Sequence, residues 1–156
     1  MKLMNTLTRV ALVVLAVALF SIPGFAQEKK ITAKDVPAAV IAAFKNSYPN
    51  ATIRGYAREK EHGKVFYEIE SREGTVSRDV LYQADGTVAE IEESIPPTGL
   101  PANAQQAIKQ KYPKAVIRLA EKTTAGDKVG YEVSLRQGQR RMIMEFDANG
   151  KVVGEN

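Results

Sequence analysis

The chain has 156 residues, of which 44% are hydrophobic and 26% are charged, and it contains no cysteine. This composition is typical of a folded globular protein with one ordinary domain or two small ones, and it excludes a disordered chain. The absence of cysteine also excludes a disulfide framework and a lipid-modified cysteine after a signal peptide. The stability of the fold must therefore come from the burial of an apolar core.

The N-terminus has the pattern of a secretory signal peptide. Lys2 and Arg9 flank the start of the apolar run Val10–Phe20, and small residues follow it up to Ala26. The run is shorter than the ~20 apolar residues that cross a bilayer. We therefore predict a signal peptide over residues 1–26 that is cleaved after Ala26. The mature protein would be periplasmic or secreted, without an integral membrane anchor.

Removal of the signal peptide changes the charge balance. The full chain has a formal charge of +4, but residues 1–26 contain two basic residues and no acidic one. The remaining 20 basic and 18 acidic residues leave +2. A nearly balanced chain gives little support to a nucleic-acid partner, which would need a clustered basic stripe.

The first folded unit is predicted to begin with a helix. Residues 27–35 are polar and rich in lysine, which predicts a flexible lead-in that ends in a turn near residues 32–35. Pro37 is suited to a first helical turn, and Pro49 ends the helix because the residue before a proline disfavours the helical conformation. An apolar stripe with helical spacing predicts the side that packs on the core: Val36, Val40, Phe44 and Tyr48.

Alternating apolar and polar residues follow this helix, a pattern that predicts half-buried antiparallel strands. Asp85 and Gly86 form one of the turns between them, because both residue types tolerate a positive φ. The predicted strands are near residues 52–58, 64–71, 76–82 and 87–91.

The same order of elements then returns 64 residues later. The string YPNATIR at Tyr48–Arg54 is repeated as YPKAVIR at Tyr112–Arg118, and the closing turn ADG is repeated as ANG. We predict an α+β fold of two tandem repeats, residues 36–98 and 99–156, each a helix packed on one face of a four-stranded antiparallel sheet. Tyr48 and Tyr112 are in phase with the apolar stripes, which favours a core role over ligand stacking.

The period of two assigns side chains to the two faces of the predicted sheets. The residues expected to face the helices are Val65, Tyr67, Ile69, Val80, Tyr82, Val129, Tyr131, Val133, Met144 and Phe146. The residues expected on the opposite, open face are Arg54, Phe66, Glu68, Asp79, Leu81, Arg118, Glu132, Arg141, Ile143 and Glu145.

These motifs resemble the PepSY-like family, which is related in fold to the β-lactamase-inhibitor protein. The resemblance is carried by LP or VP before a short helix, YP-x-A-x-I, YE-[IV] and a closing [DN]G turn, each present twice behind the signal peptide. It implies a concave protein-binding surface formed by paired four-stranded sheets, and a role in regulating a peptidase or another envelope enzyme. The chain lacks the inhibitor's disulfides and has no tryptophan anchor, so the resemblance does not imply inhibition of a β-lactamase.

We therefore predict a non-enzymatic binding module without a cofactor, which recognises an envelope protein or peptide through the open sheet face and its hairpin loops. The candidate partner-binding residues are Arg54, Phe66, Glu68, Arg118, Glu132, Arg140 and Arg141. Two interpretations of the repeated arginine and glutamate positions stay open. They form either a recognition patch or cross-strand ion pairs worth about 0.2–1 kcal/mol each.

The alternative function is an accessory or sensor module that binds a small ligand or a metal ion, and an exported hydrolase is a third hypothesis. His62 is the only histidine, and its Gly-containing turn favours an exposed residue over a metal ligand. The acidic run Glu90–Ser94 lacks the spaced oxygen ligands of a calcium loop. No serine lies in a nucleophile elbow. We predict neither a catalytic residue nor a metal site.

The two predicted repeats differ in net charge. Residues 36–98 contain 7 basic and 10 acidic residues and carry −3, whereas residues 99–156 contain 10 basic and 6 acidic residues and carry +4. This difference in charge predicts that electrostatic attraction assists the packing of the two units. Alternatively, it steers a partner across both units, with Arg140 and Arg141 contributing to the attraction.

Overall fold

The computed structural model describes residues 28–156 apart from position 62. The predicted signal peptide and His62 lie outside the described residues. The described chain forms one nine-stranded antiparallel sheet whose strands lie in chain order. The strands are β1 (Lys29–Lys30), β2 (Thr52–Glu61), β3 (Lys64–Glu73), β4 (Val76–Tyr82), β5 (Val88–Ser94), β6 (Val116–Ala125), β7 (Lys128–Gln137), β8 (Arg140–Asp147) and β9 (Val152–Glu155).

Two helices, α1 (Ala38–Ser47) and α2 (Ala102–Lys111), each follow a short 3-10 turn and pack on the same face of this sheet. Each helix ends at the predicted tyrosine. The N–H of Tyr48 donates to the carbonyl oxygen of Phe44 at 2.8 Å, and the corresponding bond in α2 has the same length. Both tyrosines pack against the core, which confirms their predicted position in the apolar stripes.

The core consists of two clusters, one under each helix, and the side chains predicted to face the helices lie on that face. Val65 is the least covered of them, with 40% of its surface exposed near the end of its strand. The largest fully buried side chains are Tyr82, Phe44, Phe146, Ile69, Leu135, Met144, Val40, Val80 and Val133.

The strands that follow the two helices belong to one continuous sheet rather than to two separate four-stranded sheets. Strand β5 pairs with β4 on one side and with β6 on the other, in a register that runs from Ile91 opposite Thr124 to Ser94 opposite Glu121. The first repeat therefore joins the second through main-chain hydrogen bonds. The lead-in also contributes, because Lys29–Lys30 forms β1 against β2.

The edge strands β1 and β9 correspond to the two halves of β5. Lys30 lies opposite Ala57, and the equivalent residues 64 positions later, Ser94 and Glu121, also lie opposite each other. Strand β9 corresponds in the same way to the first half of β5. The central strand β5 thus ends one repeat and begins the next, and in the described chain β1 and β9 each correspond to one half of it.

The first repeat contains a buried cation that the second repeat lacks. The Cζ atom of Arg78 lies 4.0 Å from the ring centroid of Tyr48, and its Nε donates to Oε1 of Glu93 at 2.7 Å. The side chain of Arg78 is only 10% exposed. Met142 is buried at the equivalent position 64 residues later. The two repeats therefore fill the same space with a paired cation in one case and an apolar side chain in the other.

The difference between Arg78 in the first repeat and Met142 in the second predicts the effect of mutations at Arg78. Arg78→Met should change the free energy of unfolding by less than about 1 kcal/mol, because methionine fills the same space and the carboxylate that remains, Glu93, is 38% exposed and can be solvated by water. Arg78→Ala should cost about 2–3 kcal/mol, mainly through the cavity that it leaves beside Tyr48. Urea denaturation of both variants measures the difference, and equal losses would contradict this explanation.

An acidic band as the candidate functional site

The open face of the sheet, on the side away from the helices, carries carboxylates on successive strands. Glu70 of β3 lies opposite Asp79 of β4, which lies opposite Glu92 of β5. The series continues in the second repeat, where Glu121 of β6 lies opposite Glu132 of β7. We call this surface the acidic band. Its members are Glu59, Glu68, Glu70, Asp79, Glu90, Glu92, Glu121, Glu132 and Glu145.

The junction between the repeats brings three of these carboxylates together. Oxygen atoms of Asp79, Glu92 and Glu121 all lie within 4.8 Å of one another. Beside them, the carboxylates of the first repeat line a small cavity of about 110 Å³, with Leu81 as its apolar wall. The centre of the band is therefore built from both repeats.

Burial raises the pKa of two carboxyl groups of the band far above their usual range. The pKa of Glu92 is raised to about 8, first by burial and then by the negative charge of Glu90. The pKa of Glu68 is also raised to about 8, by burial and then by a hydrogen bond with Glu59 and the charge of that residue. These groups are held close to like charges in a place where water solvates them poorly.

The same effect extends along the band. Burial, followed by the charge of Glu132, raises the pKa of Glu121 to about 7. Burial also raises the pKa of Asp79 and, in the second repeat, that of Glu132 and Glu145. The raised pKa is therefore shared by six carboxyl groups, one on each strand from β3 to β8.

Positive side chains reach the border of the band and not its centre. The Nζ of Lys30 lies 3.3 Å from Oε1 of Glu70 at the edge of the sheet. Asp79, Glu92 and Glu121 form no ion pair with any residue of the described chain. The central carboxylates thus repel one another, and only the charge of Lys30 at the border partly offsets this repulsion at Asp79. Such an arrangement lowers stability and is typical of functional surfaces.

The predicted site residues do not all lie together. Phe66 and Glu68 lie on the open face in the band's first repeat, and Glu132 lies on it in the second. Arg141 lies on the open face but opposite Arg136, at the hairpin end of the sheet. Arg140 lies on the helix face, with its Cζ 6.0 Å from the ring centroid of Tyr112.

Arg54 and Arg118 lie at irregular positions of β2 and β6. Both are the extra residues of β-bulges, where the strand register shifts, so neither has a partner directly opposite. Glu68 instead lies opposite Ala57 and Leu81. No cross-strand ion pair joins Arg54 to Glu68, and none joins Arg118 to Glu132. A bulge cannot be predicted from alternation alone, since it interrupts the alternation by one residue.

Sequence reasoning did not select Glu92 and Glu121, which lie at the centre of the band. The alternating acids Glu90 and Glu92 were a usable signal, because residues two apart on a strand share a face. The proximity of Glu92 to Glu121 depends on the pairing of β5 with β6, which no local pattern encodes.

Carboxylate oxygens are also the ligands that calcium and magnesium prefer. The three residues Asp79, Glu92 and Glu121 could hold such an ion through one oxygen each. Exposed acidic groups of this kind are common in proteins that bind no metal.

Comparisons with known proteins agree with the repeated architecture. The model of the family described as "Putative beta-lactamase-inhibitor-like, PepSY-like" matches the chain twice, over residues 25–89 and 65–153. The chain belongs to this PepSY-like family. The resemblance inferred from the motifs is thereby confirmed. A comparison with curated proteins gives no match.

Several solved structures share the fold. A protein from Bacteroides eggerthii, described as a putative periplasmic protein, has a TM-score of 0.65 at 16% identity, covering 78% of this chain and 88% of that one. A BLIP-like protein from Bacteroides fragilis has a TM-score of 0.59 at 21% identity, covering 78% of this chain and 85% of that one. Structural similarity at such low sequence identity shows a common fold only. Neither helix of the described chain is long and apolar enough to span a membrane.

Proposed function

We propose that this PepSY-like protein is an exported, non-enzymatic binding module whose acidic band recognises a cationic segment of an envelope protein or peptide. The observation that carries the proposal is the group of half-buried carboxylates Asp79, Glu92 and Glu121, which form no ion pair with the part of the chain that the structure describes. Complementary charge on a partner would both attract it and fix its orientation. Export rests on the predicted signal peptide, and it agrees with the periplasmic description of the Bacteroides eggerthii protein.

The energetics of the band favour a cationic partner. Each carboxylate that ionises in the free protein does so beside other negative charges, at a cost in free energy. A lysine or arginine side chain bound over Asp79, Glu92 and Glu121 would remove that cost and bring their pKa values down. Binding should therefore release few protons at high pH and more near neutral pH, where part of the band is protonated.

The dimensions of the band suit an extended segment. Neighbouring strands lie about 4.8 Å apart, so the inner part of the band, from Glu68 on β3 to Glu132 on β7, is roughly 19 Å wide across the sheet. An extended chain advances about 3.3 Å per residue, so about six residues would cross it. Cations at every second position of such a segment would all point towards the sheet.

The small size of the cavity in the acidic band favours docking of one side chain at that place over the binding of a small molecule there. Pockets for small molecules usually have volumes of about 300–1,000 Å³. The cavity beside Glu92 is about 110 Å³. It can accept the end of one side chain rather than a whole substrate.

A peptide titration tests the proposal. The probe is a fluorescent ten-residue peptide of alternating lysine and threonine, titrated with the mature protein at pH 8.5. The double variant Glu92→Gln, Glu121→Gln should bind at least about tenfold more weakly at low salt, because it removes two central charges. The matched control Asp85→Asn, Asp127→Asn removes two exposed turn carboxylates, and it should bind like the wild type. Equal binding by the two double variants would contradict the proposal.

The same proteins distinguish a metal-binding function. If the peptide does not bind, and calcium chloride raises the melting temperature of the wild type but not of Glu92→Gln, Glu121→Gln, then the band is a cation site. That result would replace the proposed function by the accessory or sensor alternative.

A further inference from the structure

The open face of the second repeat carries an apolar row of side chains directly beside the acidic band. Leu119 of β6 lies opposite Ser134 of β7, which lies opposite Ile143 of β8. Residues directly opposite each other share a face of the sheet, so this row is the neighbour of the row that contains Glu132. Leu119 is 40% exposed, and Val116, further along β6, is 59% exposed. We call Val116, Leu119 and Ile143 the apolar patch.

The equivalent row of the first repeat is acidic instead. In that row, 64 residues earlier in the chain, Gly55 lies opposite Glu70, which lies opposite Asp79. A Cβ added to Gly55 would lie 2.8 Å from Oε2 of Glu70, so the glycine makes room for this carboxylate. The second repeat has Leu119 and Ser134 at these two positions. The two repeats thus use the same backbone positions to present carboxylates in one case and aliphatic side chains in the other.

Two arginines border the apolar patch on the side away from the acidic band. Arg136 of β7 lies opposite Val116 on one side and Arg141 on the other. The side chain of Arg136 is held by its own hairpin, because its Nε donates to the carbonyl oxygen of Gly138 at 2.9 Å. Arg141 is exposed and forms no ion pair with the part of the chain that the structure describes. A carboxylate bound beside Arg141 would offset the repulsion between the two opposed cations.

The acidic band leads to the apolar patch along a diagonal of the sheet. Glu68 of β3, Glu92 of β5 and Glu132 of β7 lie on three successive rows. Ile143 lies one strand and one row beyond Glu132, and Arg141 lies one row beyond Ile143. From the spacing of strands and residues, these two steps measure about 8 Å and about 7 Å. An extended segment covers each step with about two residues.

We propose that the cationic segment bound by the acidic band continues onto the apolar patch, so that the partner carries cationic, then aliphatic, then acidic side chains at alternate positions. The aliphatic side chain would lie between Leu119 and Ile143, over the small side chain of Ser134, and the carboxylate would reach Arg141. This order rests on the proposed function, because the acidic band supplies the first part of the contacts.

The two ends of this diagonal discriminate between partners. A uniformly basic segment that crosses the band would bring its last cation towards Arg141, where like charges repel, and it would leave Leu119 exposed to water. A segment with the proposed order buries an aliphatic side chain at the apolar patch and meets Arg141 with the opposite charge. The binding surface therefore favours a segment of mixed character over a simple polycation.

A peptide with an added tail tests the proposed order. The plain probe is the fluorescent peptide of alternating lysine and threonine, beginning with lysine. The tailed probe has Leu-Thr-Glu-Thr added after the last threonine. A third probe has the reversed sequence of the tailed probe, because no main-chain ladder fixes the direction of a segment that lies over a sheet face. Binding to the mature protein is measured by fluorescence polarisation at pH 8.5 and low salt.

The tail separates the contribution of the apolar patch from that of the acidic band. The added glutamate lowers the positive charge of the peptide, so the band alone would bind the tailed probes more weakly than the plain probe. In the wild type, at least one of the two tailed probes should instead bind about fivefold more tightly than the plain probe, because burial of the leucine outweighs the lost charge.

The double variant Leu119→Ser, Arg141→Gln should abolish this preference for a tail. It changes no carboxylate, so its binding of the plain probe should stay within about twofold of the wild type. The matched control Val88→Ser, Lys151→Gln also removes one apolar side chain and one cation. Val88 is 42% exposed and lies opposite Tyr82 on the helix face, and the control should keep the preference.

A measurement on the wild type alone locates the tail. A nitroxide label attached to the end of the tail should broaden the methyl NMR signals of Leu119 and Ile143 more than those of Val88. The same label at the lysine end of the probe should leave these two signals sharper than the tail label does. Broadening that does not distinguish the two label positions would contradict the proposed order.

The remaining outcomes separate this order from the proposed function. If the plain probe binds and neither tailed probe binds more tightly, the order is overturned and the proposed function stands. If no probe binds the wild type, both fail. If the two double variants keep the preference for a tail equally, the tail binds outside the apolar patch. If sedimentation shows that the wild type self-associates and that Leu119→Ser, Arg141→Gln does not, a second copy of the chain occupies the patch and the order is overturned.

Discussion

Raising the pH from 5 to 8 should lower the free energy of unfolding by on the order of 3 kcal/mol, after allowance for solvent screening of these partly exposed groups. The pKa of Glu68 and of Glu92 is raised from 4.5 to about 8 in the folded protein, and that of Glu121 to about 7. Between these limits the folded state binds more protons than the unfolded state. The contribution of these three groups to stability is therefore full below pH 4.5 and is lost as the pH rises through 7 and 8.

A neutral replacement should remove much of this dependence. Glu92→Gln should raise the free energy of unfolding at pH 8 by about 1–2 kcal/mol and leave it nearly unchanged at pH 5, where the wild-type carboxyl is already protonated. Asp127→Asn, in an exposed turn, is the control and should have little effect at either pH. Urea denaturation at both pH values measures these differences. A wild type that becomes more stable from pH 5 to pH 8 would show that the band is well solvated.

Gly150→Ala should be the most damaging glycine substitution, with a loss of about 3 kcal/mol or more, or roughly 10 °C in Tm for a domain of this size. Gly150 closes the ANG turn with a φ of 79°. A Cβ added there would lie 2.7 Å from the backbone N of Ala104 and 2.9 Å from Cβ of Pro101. The turn is packed against the start of α2, so neither the backbone strain nor the contact can relax easily.

Gly138→Ala is the matched control for this prediction. Gly138 has a φ of 62° and no atom within 4 Å of an added Cβ. It should lose only the intrinsic cost of a left-handed conformation, about 1 kcal/mol. Thermal denaturation of both variants separates the two contributions. Equal losses would mean that contact between the closing turn and the helix contributes nothing to stability.

These predictions suggest a compromise between stability and function in the acidic band. The closing turns and the two apolar clusters stabilise the fold, whereas the carboxylates on the open face oppose it whenever they are ionised. A cationic segment bound over Asp79, Glu92 and Glu121 would stabilise the folded protein by mass action. The bound and free proteins should then differ most in stability above pH 8, where the free band is most highly charged.

Much of the fold could be predicted from the sequence, because it depends on patterns of neighbouring residues. The spacing of Val40 and Phe44 predicted the buried side of α1, and alternation around Ile69 and Val80 predicted which side chains face the helices. The strand β4 was predicted with the boundaries that the structure shows. The exact repeat of the motifs predicted two similar units.

The β-bulges and the edge strands could not be predicted from the sequence in this way. Arg54 and Arg118 follow the alternation of their strands, yet each lies at a register shift that removes it from direct pairing. The lead-in contains too few apolar residues to indicate a strand, and β1 forms because β2 provides main-chain partners for it.

The sequence by itself determined the elements, their order, their repetition and the side of each strand that is apolar, because helical and strand periods depend on neighbouring residues. Only the tertiary structure decided that β5 pairs with β6, which merges the two units into one sheet and brings Glu92 within reach of Glu121. That pairing joins residues far apart in the chain and leaves no periodic signal. The same pairing adds Glu121 and Glu132 to the like charges around Glu92, and so continues the acidic band from the first repeat into the second.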